Sequence, residues 1–345
     1  MRVGIVFHKD PFAVPAGIDL VRLRAISKGL RSYGLDAEIV APVQREDVIE
    51  QVVPVRPLSA LRRKGRYDIV KTCYHYSVEL IGEYSGPVVS RIVRVVDVEL
   101  PERDGPNRGR LLECQELIRK RASAVALNNH ENEQRWRAFY GDAPPVVLTP
   151  TGCPADIPSA AINPFPAGER SILFLGSVAA PRMADILNAA AEQLAGLGRV
   201  HLVGRNKAAM YGDGQRLALS HLIVDHGEVP QEAVWNYILN ARMGLALAAG
   251  PYPFDNDVSK IVYYLRGGLP VLSEEPIINN RLIGETGFGA TFPHGNVDGL
   301  VAAAARLLEN PPVAERRAVM AFMAREHSWD RRVQTYVSLF RKIVG

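Results

Sequence analysis

The chain opens with MRVGIVF, a short unbroken apolar run of the kind that forms a strand buried on both faces. IDLVRLRAISKGLRSYG follows with apolar residues at helical spacing and stops at Gly34, which predicts an amphipathic helix. DAEIVAPV, YDIVKT, GPVVSRIV, SAVALNN and PVVLTP predict further strands, and RGRLLECQELIRKRAS a helix with a basic outer face. Strands that alternate with helices imply parallel pairing and a doubly wound sheet.

Beyond Gly152 the texture changes. CPADIPSAAINPFPAGER holds several prolines and little periodicity, the signature of a linker. A second alternation then runs through SILFLGS, ADILNAAAEQLAG, VHLVGR, LIVDHGE, QEAVWNYILNA, MGLALAA, SKIVYYLRGG, LPVLSE and LVAAAARLLEN. The expected architecture is α/β, with two Rossmann-like domains facing a cleft. The expected boundaries are 1–155 for the first domain, 156–168 for the linker and 169–327 for the second domain. Residues 328–345 read as an amphipathic C-terminal helix, a candidate to pack back on the first domain.

At 345 residues the chain is too long for one ordinary core, which supports two domains. A net charge of +4 is too mild for a duplex-wrapping protein, and no aromatic-basic pattern points to nucleic acid. Acidic small molecules or a membrane surface remain as partners. Cys73, Cys114 and Cys153 are odd in number and far apart, so they suggest neither a disulfide framework nor a metal site. A reducing, cytoplasmic compartment is expected. The opening strand meets His8, Lys9 and Asp10 too soon to be a signal peptide or a membrane span. The basic run LRRKGR, Leu61 to Arg66, fits peripheral contact with anionic lipid at an inner membrane face, and equally a solvated helix end.

Ligands in such sheets sit beyond the carboxyl ends of the strands, so the segments that follow the strands hold the candidate chemistry. Gly17 precedes a helix, where bare backbone lets an anion or a sugar approach the amides, although a plain turn also explains it. No G-x-G-x-x-G is present there, so the nicotinamide reading loses its best support. His75 lies near a strand end between Tyr74 and Tyr76, a candidate for sugar contact or for a structural role. Asp97 and Glu99 are candidate acceptor-side carboxylates or solvated charges. Ser177 and Arg182 stand where a helix begins, and Arg205, Asn206 and Lys207 follow the next strand. Each cation alone reads as surface charge, but their recurrence at successive strand ends suggests a dianionic ligand such as a diphosphate. Gly227 and Glu228 occupy a turn before a helix that starts near Pro230.

In order, the Gly17 loop, VVLTPTGCPADIP, FLGSVAAPRMAD, VDHGEVPQEAVWNYILNARMGLALAAG and DNDVSKIVYYLRGGLPVLSE resemble the GT-B nucleotide-sugar glycosyltransferases. The likeness is to the large retaining group (glycosyltransferase family 4-like), closer in the second half of the chain than in the first. It implies a donor site in the second domain and an acceptor site in the first. The acceptor would be a glycan, a lipid-linked sugar or a small molecule. Arg182 matches a lysine of the family, and Ser177 replaces an arginine. The two glutamates that line the family's donor site fall at Asp255 and Tyr263, of which only the first keeps a carboxylate. The resemblance casts His75, Asp255, Arg182 and Lys260 as catalytic. Gly17, Ser177, Arg205, Lys207, Gly227, Glu228, Asp257, Ser259 and Tyr263 become the donor set. Ser259 and Lys260, at a helix start, would hold the diphosphate of UDP or GDP as a leaving group, so no cofactor and no essential metal are expected. The alternatives are a GT-B-fold epimerase and a non-catalytic nucleotide-sugar binding protein.

Overall fold

Short runs of valine, isoleucine and leucine become the parallel strands of two sheets. The computed structural model describes residues 1–345 except 14–16, 97–106, 179, 207–215 and 313–314, together with all but the side chain of Asp255. Asp97, Glu99 and Lys207 lie outside the described residues, as does the Asp255 carboxylate. The chain divides into two units, Met1–Gly152 with Trp329–Gly345, and Cys153–Ser328.

The first unit contains β1 (Arg2–Val6), β2 (Asp36–Ala41), β3 (Asp47–Ile49), β4 (Val53–Pro57), β5 (Ile69–Thr72), β6 (Val88–Arg91), β7 (Ala124–Leu127) and β8 (Val146–Leu148). They lie in the order β3-β4-β2-β1-β5-β6-β7-β8, with β3 antiparallel to β4 and the other pairs parallel. Helices α1 (Ile18–Ser32), α2 (Arg108–Arg121) and α3 (His130–Tyr140) come from the same stretch of chain. The second unit holds β9 (Ser171–Leu175), β10 (Arg199–Val203), β11 (Val224–Asp225), β12 (Met243–Ala246), β13 (Val271–Glu274) and β14 (Gly289–Phe292). These are all parallel, in the order β11-β10-β9-β12-β13-β14. Its helices are α4 (Pro181–Leu194), α5 (Val234–Asn240), α6 (Ser259–Arg266), α7 (Asn280–Thr286), α8 (Val297–Glu309) and α9 (Arg316–Glu326). The last helix, α10 (Trp329–Val344), belongs to the first unit.

Helix α1 buries Leu20, Leu23, Ile26 and Leu30, one stripe at helical spacing. Helix α10 answers with Val333, Tyr336, Val337 and Phe340, all in the same core. A Cβ on Gly29 would meet Val333 Cγ2 at 2.4 Å, so the two helices cross through a position that only glycine fits.

Several features differ from the sequence reading, which also left α7, β14 and α9 unassigned. Strands β3 and β4 were not expected, because VPVRP carries two prolines and DVI is three residues long. Helix α3 was hidden by its polar sequence, yet Asn129 caps it by accepting from Asn132 N at 2.8 Å, and Trp136 anchors it in the core. The 156–168 stretch, expected as a linker, belongs to the second unit, where Phe165 packs edge-on to His201 at 4.7 Å. The basic run also divides. Arg62, Arg63 and Lys64 are exposed, whereas Arg66 turns in to bond Glu38 at 2.7 Å. Among the described residues no helix is long and apolar enough to cross a membrane.

Candidate functional site

In the second sheet β9 has β10 on one side and β12 on the other, so the winding reverses there and the strand ends leave room for a ligand. Strand β9 ends at Leu175 and is followed by Gly176 at φ +101° and by exposed Ser177. Gly176 N donates to Val203 O at 2.8 Å, and Val178 N donates to Arg205 O at 2.8 Å, so the loops after β9 and β10 are laced together. A Cβ on Gly204 would fall 2.3 Å from Gly176 O, and its φ is +144°. Bare backbone is required here by both distance and conformation. Gly204 N reaches Gly227 O at 2.8 Å, and Arg205 Nε donates to Glu228 Oε1 at 2.6 Å. Ser177, Arg205, Gly227 and Glu228 thus share one edge of the sheet. The Arg205–Glu228 pair is surface-exposed, which makes it an inexpensive pair to open for a ligand.

Lys260 reaches this edge from α6. The helix start is fixed by Asn279, which accepts from Val258 N at 2.6 Å and donates to Asp257 Oδ1 at 3.0 Å. Ser259 is the first helical residue. Lys260 Nζ lies 3.6 Å from the Phe174 ring centroid, and its amine borders the space beside Gly176. Among the described residues no carboxylate and no hydrogen-bond acceptor pairs with this amine. Burial around it pushes the ammonium down to about 7. An aromatic face is a weak substitute for an anion, so the site favours negative charge next to Gly176.

Arg182 is engaged differently. It sits in the first turn of α4 behind Pro181 and forms a fork with Glu274, the last residue of β13. Its Nη1 also donates to Ala248 O at 2.9 Å, and Nη2 contacts His294 Nδ1 at 3.1 Å. The Glu274 side chain is fully buried and further accepts from Ala248 N at 2.8 Å and Gly295 N at 2.7 Å. The structure therefore gives Arg182 an internal partner that the sequence reading did not consider. Tyr263 is buried and stacked on Trp235 of α5, with centroids 5.7 Å apart. Its neighbour Tyr264 uses its hydroxyl to accept from Leu175 N at 2.7 Å and to donate to Leu173 O at 3.0 Å, which pins the end of β9.

Three positioning residues escaped the sequence reading: Glu274, Asn256 and Asn279. Asn256 bonds Ala249 N, Gly250 O and Tyr252 O at 2.9, 2.9 and 2.8 Å and so shapes the chain that leads to Asp255. A carboxylate that closes the buried strand LPVLSE was the available signal for Glu274. The two asparagines gave none, because their role lies in non-local backbone bonds.

In the first unit His75 follows β5, opens a 3-10 turn and is 1% exposed. Its Nε2 lies 3.3 Å from Gln115 Oε1, which also accepts from Val96 N at 2.6 Å. Burial pushes the imidazole down to about 4, so the ring is neutral at pH 7. Gly17 caps α1, and among the described residues nothing lies within 4 Å of where its Cβ would stand. A pH prediction follows from His75. Between 6.5 and about 4 the unfolded chain takes up a proton that the folded histidine refuses. Stability contributed by the neutral ring is complete above that window and is lost as the pH falls through it, by up to about 3 kcal/mol. Thermal melts from about pH 7 down to 4 should show His75→Gln flattening this part of the dependence.

No family model and no curated protein matches the chain. Solved structures do match over its whole length. Sucrose-phosphate synthase from Thermosynechococcus elongatus covers 99% of this chain and 98% of its own, with 15% identity and a TM-score of 0.75. The HepE protein of Anabaena, solved in complex with UDP-glucose, covers 99% and 100% at 15% identity and a TM-score of 0.75. AviGT4, a glycosyltransferase of avilamycin A biosynthesis, covers 99% and 98% at 16% identity and a TM-score of 0.61. The fold is that of GT-B glycosyltransferases: two Rossmann-like α/β units.

Proposed function

We propose that the chain is a glycosyltransferase whose second unit holds a nucleoside-diphosphate sugar, with UDP or GDP as the nucleotide. The observation that carries this reading is Lys260, an amine without an anionic partner among the described residues, set against Gly176 where two strand ends are laced together. A diphosphate there would accept from Lys260 and face the start of α6, whose dipole favours negative charge. In the transfer the bond from C1 to the diphosphate oxygen breaks and the diphosphate leaves with the electron pair. An acceptor hydroxyl forms the new bond at C1 and passes its proton to the departing diphosphate. The lysine stabilises the departing charge, a task other transferases give to a metal, so the proposal includes no essential metal. The resemblance in the segment from Asp255 to Glu274 supports retention at C1, which the anomer of the product, read by NMR, would test. The acceptor is assigned to the first unit, with His75 as a positioning residue from within the core.

UDP-glucose and GDP-glucose, each at about a hundred times its dissociation constant, would stabilise the protein by about 2.7 kcal/mol through mass action. A rise in melting temperature with one of them is expected, and no rise with either would sink the donor assignment. Tyr263 favours a second reading, a nucleotide-sugar binder without turnover, because it stacks on Trp235 where the family places a carboxylate. Turnover by the wild type that is lost in Asp255→Ala, with nucleotide binding kept, would exclude it.

A further inference from the structure

A different part of the molecule is short of an anion. In the first sheet Lys71 of β5 pairs in register with Val89 of β6. Side chains alternate along strands, so Lys71, Val89 and Arg91 share a face. That face packs with Ile5, Leu23, Ile26 and Tyr336 in the core beneath α1 and α10. Two basic residues nevertheless sit in it, Lys71 at 2% exposure and Arg91 at 1%. Lys71 Nζ finds Thr72 O at 3.4 Å, Cys73 Sγ at 3.8 Å and the Tyr336 ring at 4.9 Å. Arg91 Nη1 reaches Cys73 O at a long 3.5 Å, while among the described residues its Nε and Nη2 meet no acceptor. Among the described residues neither side chain pairs with a carboxylate. A cavity of about 10 Å³, room for one water-sized group, is bordered by Lys71, Cys73, Arg22 and Asp19. Asp19 is already paired with Arg22 at 3.3 Å, and Arg22 also bonds Thr151 Oγ1 at 2.9 Å.

Burying a cation without a counter-charge is costly, and two that both lie against Cys73 compound the cost. The carboxyl ends of parallel strands are also where such sheets take ligands. We propose that Lys71 and Arg91 form an anion site, and that the acceptor carries a phosphate or carboxylate group that places an oxygen against them. The assignment of this anion to an acceptor rests on the glycosyltransferase reading, whereas anion binding itself does not.

The test titrates glucose 6-phosphate, glucuronate and glucose into the full chain, with and without a saturating nucleotide, for wild type, Lys71→Met and Arg91→Met. Wild type should bind the phosphate or the uronate at least about tenfold more tightly than glucose, as one charge-assisted bond supplies. Either charged sugar supports the site, and the stronger of the two identifies the anion. Each variant should lose that preference, keep the wild-type nucleotide affinity and, without ligand, melt no lower than wild type. If Arg91→Met does not fold, Lys71→Met decides alone. Equal or absent binding of all three sugars by wild type would overturn the proposal, and so would a preference that survives Lys71→Met. A wild type that binds charged sugars but no nucleotide would instead overturn the donor reading and leave this site standing.

Discussion

Lys260→Met is expected to weaken binding of the nucleoside-diphosphate sugar by about tenfold to a hundredfold near pH 6.5, and to lower kcat/KM by at least as much. The lower bound follows from one charge-assisted hydrogen bond, worth about 1.5–3 kcal/mol, at about 1.4 kcal/mol per tenfold. The effect on turnover should be the larger, because charge builds on the diphosphate as the bond to the sugar breaks. The fold should not suffer. Methionine keeps a flexible apolar stem, places sulfur over Phe174 and removes an amine that burial already holds down at about 7. Calorimetry with the nucleotide sugar and with its bare nucleoside separates the roles. Loss confined to the diphosphate ligand is expected, and equal losses for both would remove the lysine from a phosphate role.

Glu274→Ala is expected to give the largest loss of stability, about 3–5 kcal/mol. The carboxylate is fully buried and gathers the Arg182 fork with the backbone amides of Ala248 and Gly295. Its removal leaves a partly covered guanidinium and two amides without their acceptor. Those amides follow β12 and β14, so three strand ends loosen together. Chemical denaturation should show the deficit, with part of it recovered in the double variant Glu274→Ala/Arg182→Met, because the stranded charge is then gone. A loss below about 1 kcal/mol would mean that the carboxylate is not the anchor of this edge.

Much of this architecture was legible in the sequence because buried parallel strands and amphipathic helices write strong patterns. MRVGIVF, SILFLGS and LPVLSE announce strands by their apolar runs, and α1 announces itself by its stripe. Strands β3 and β4 and helix α3 were not legible, since their stability comes from pairing, capping and one buried Trp136 rather than from periodicity. For the site, the cations at strand ends were visible, but their partners were not. Sequence alone cannot show that Arg205 meets Glu228 and Arg182 meets Glu274 while, among the described residues, Lys260 meets only a ring. Which cation remains available to a ligand is decided by tertiary placement of acids remote in the chain.

Proton uptake on donor binding tests the central claim most directly. In the ligand-free protein burial holds the Lys260 ammonium at about 7, and a bound diphosphate raises it. Because the diphosphate of a nucleotide sugar has no titration near neutrality, the lysine proton dominates the signal. Calorimetry of UDP-glucose or GDP-glucose, whichever binds, in buffers of different ionisation enthalpy should therefore show uptake approaching about one proton near pH 8 and almost none near pH 6. Affinity should be level at low pH and fall as the pH rises through about 7, and Lys260→Met should abolish both effects. Binding without proton uptake, or uptake that survives Lys260→Met, would contradict the account.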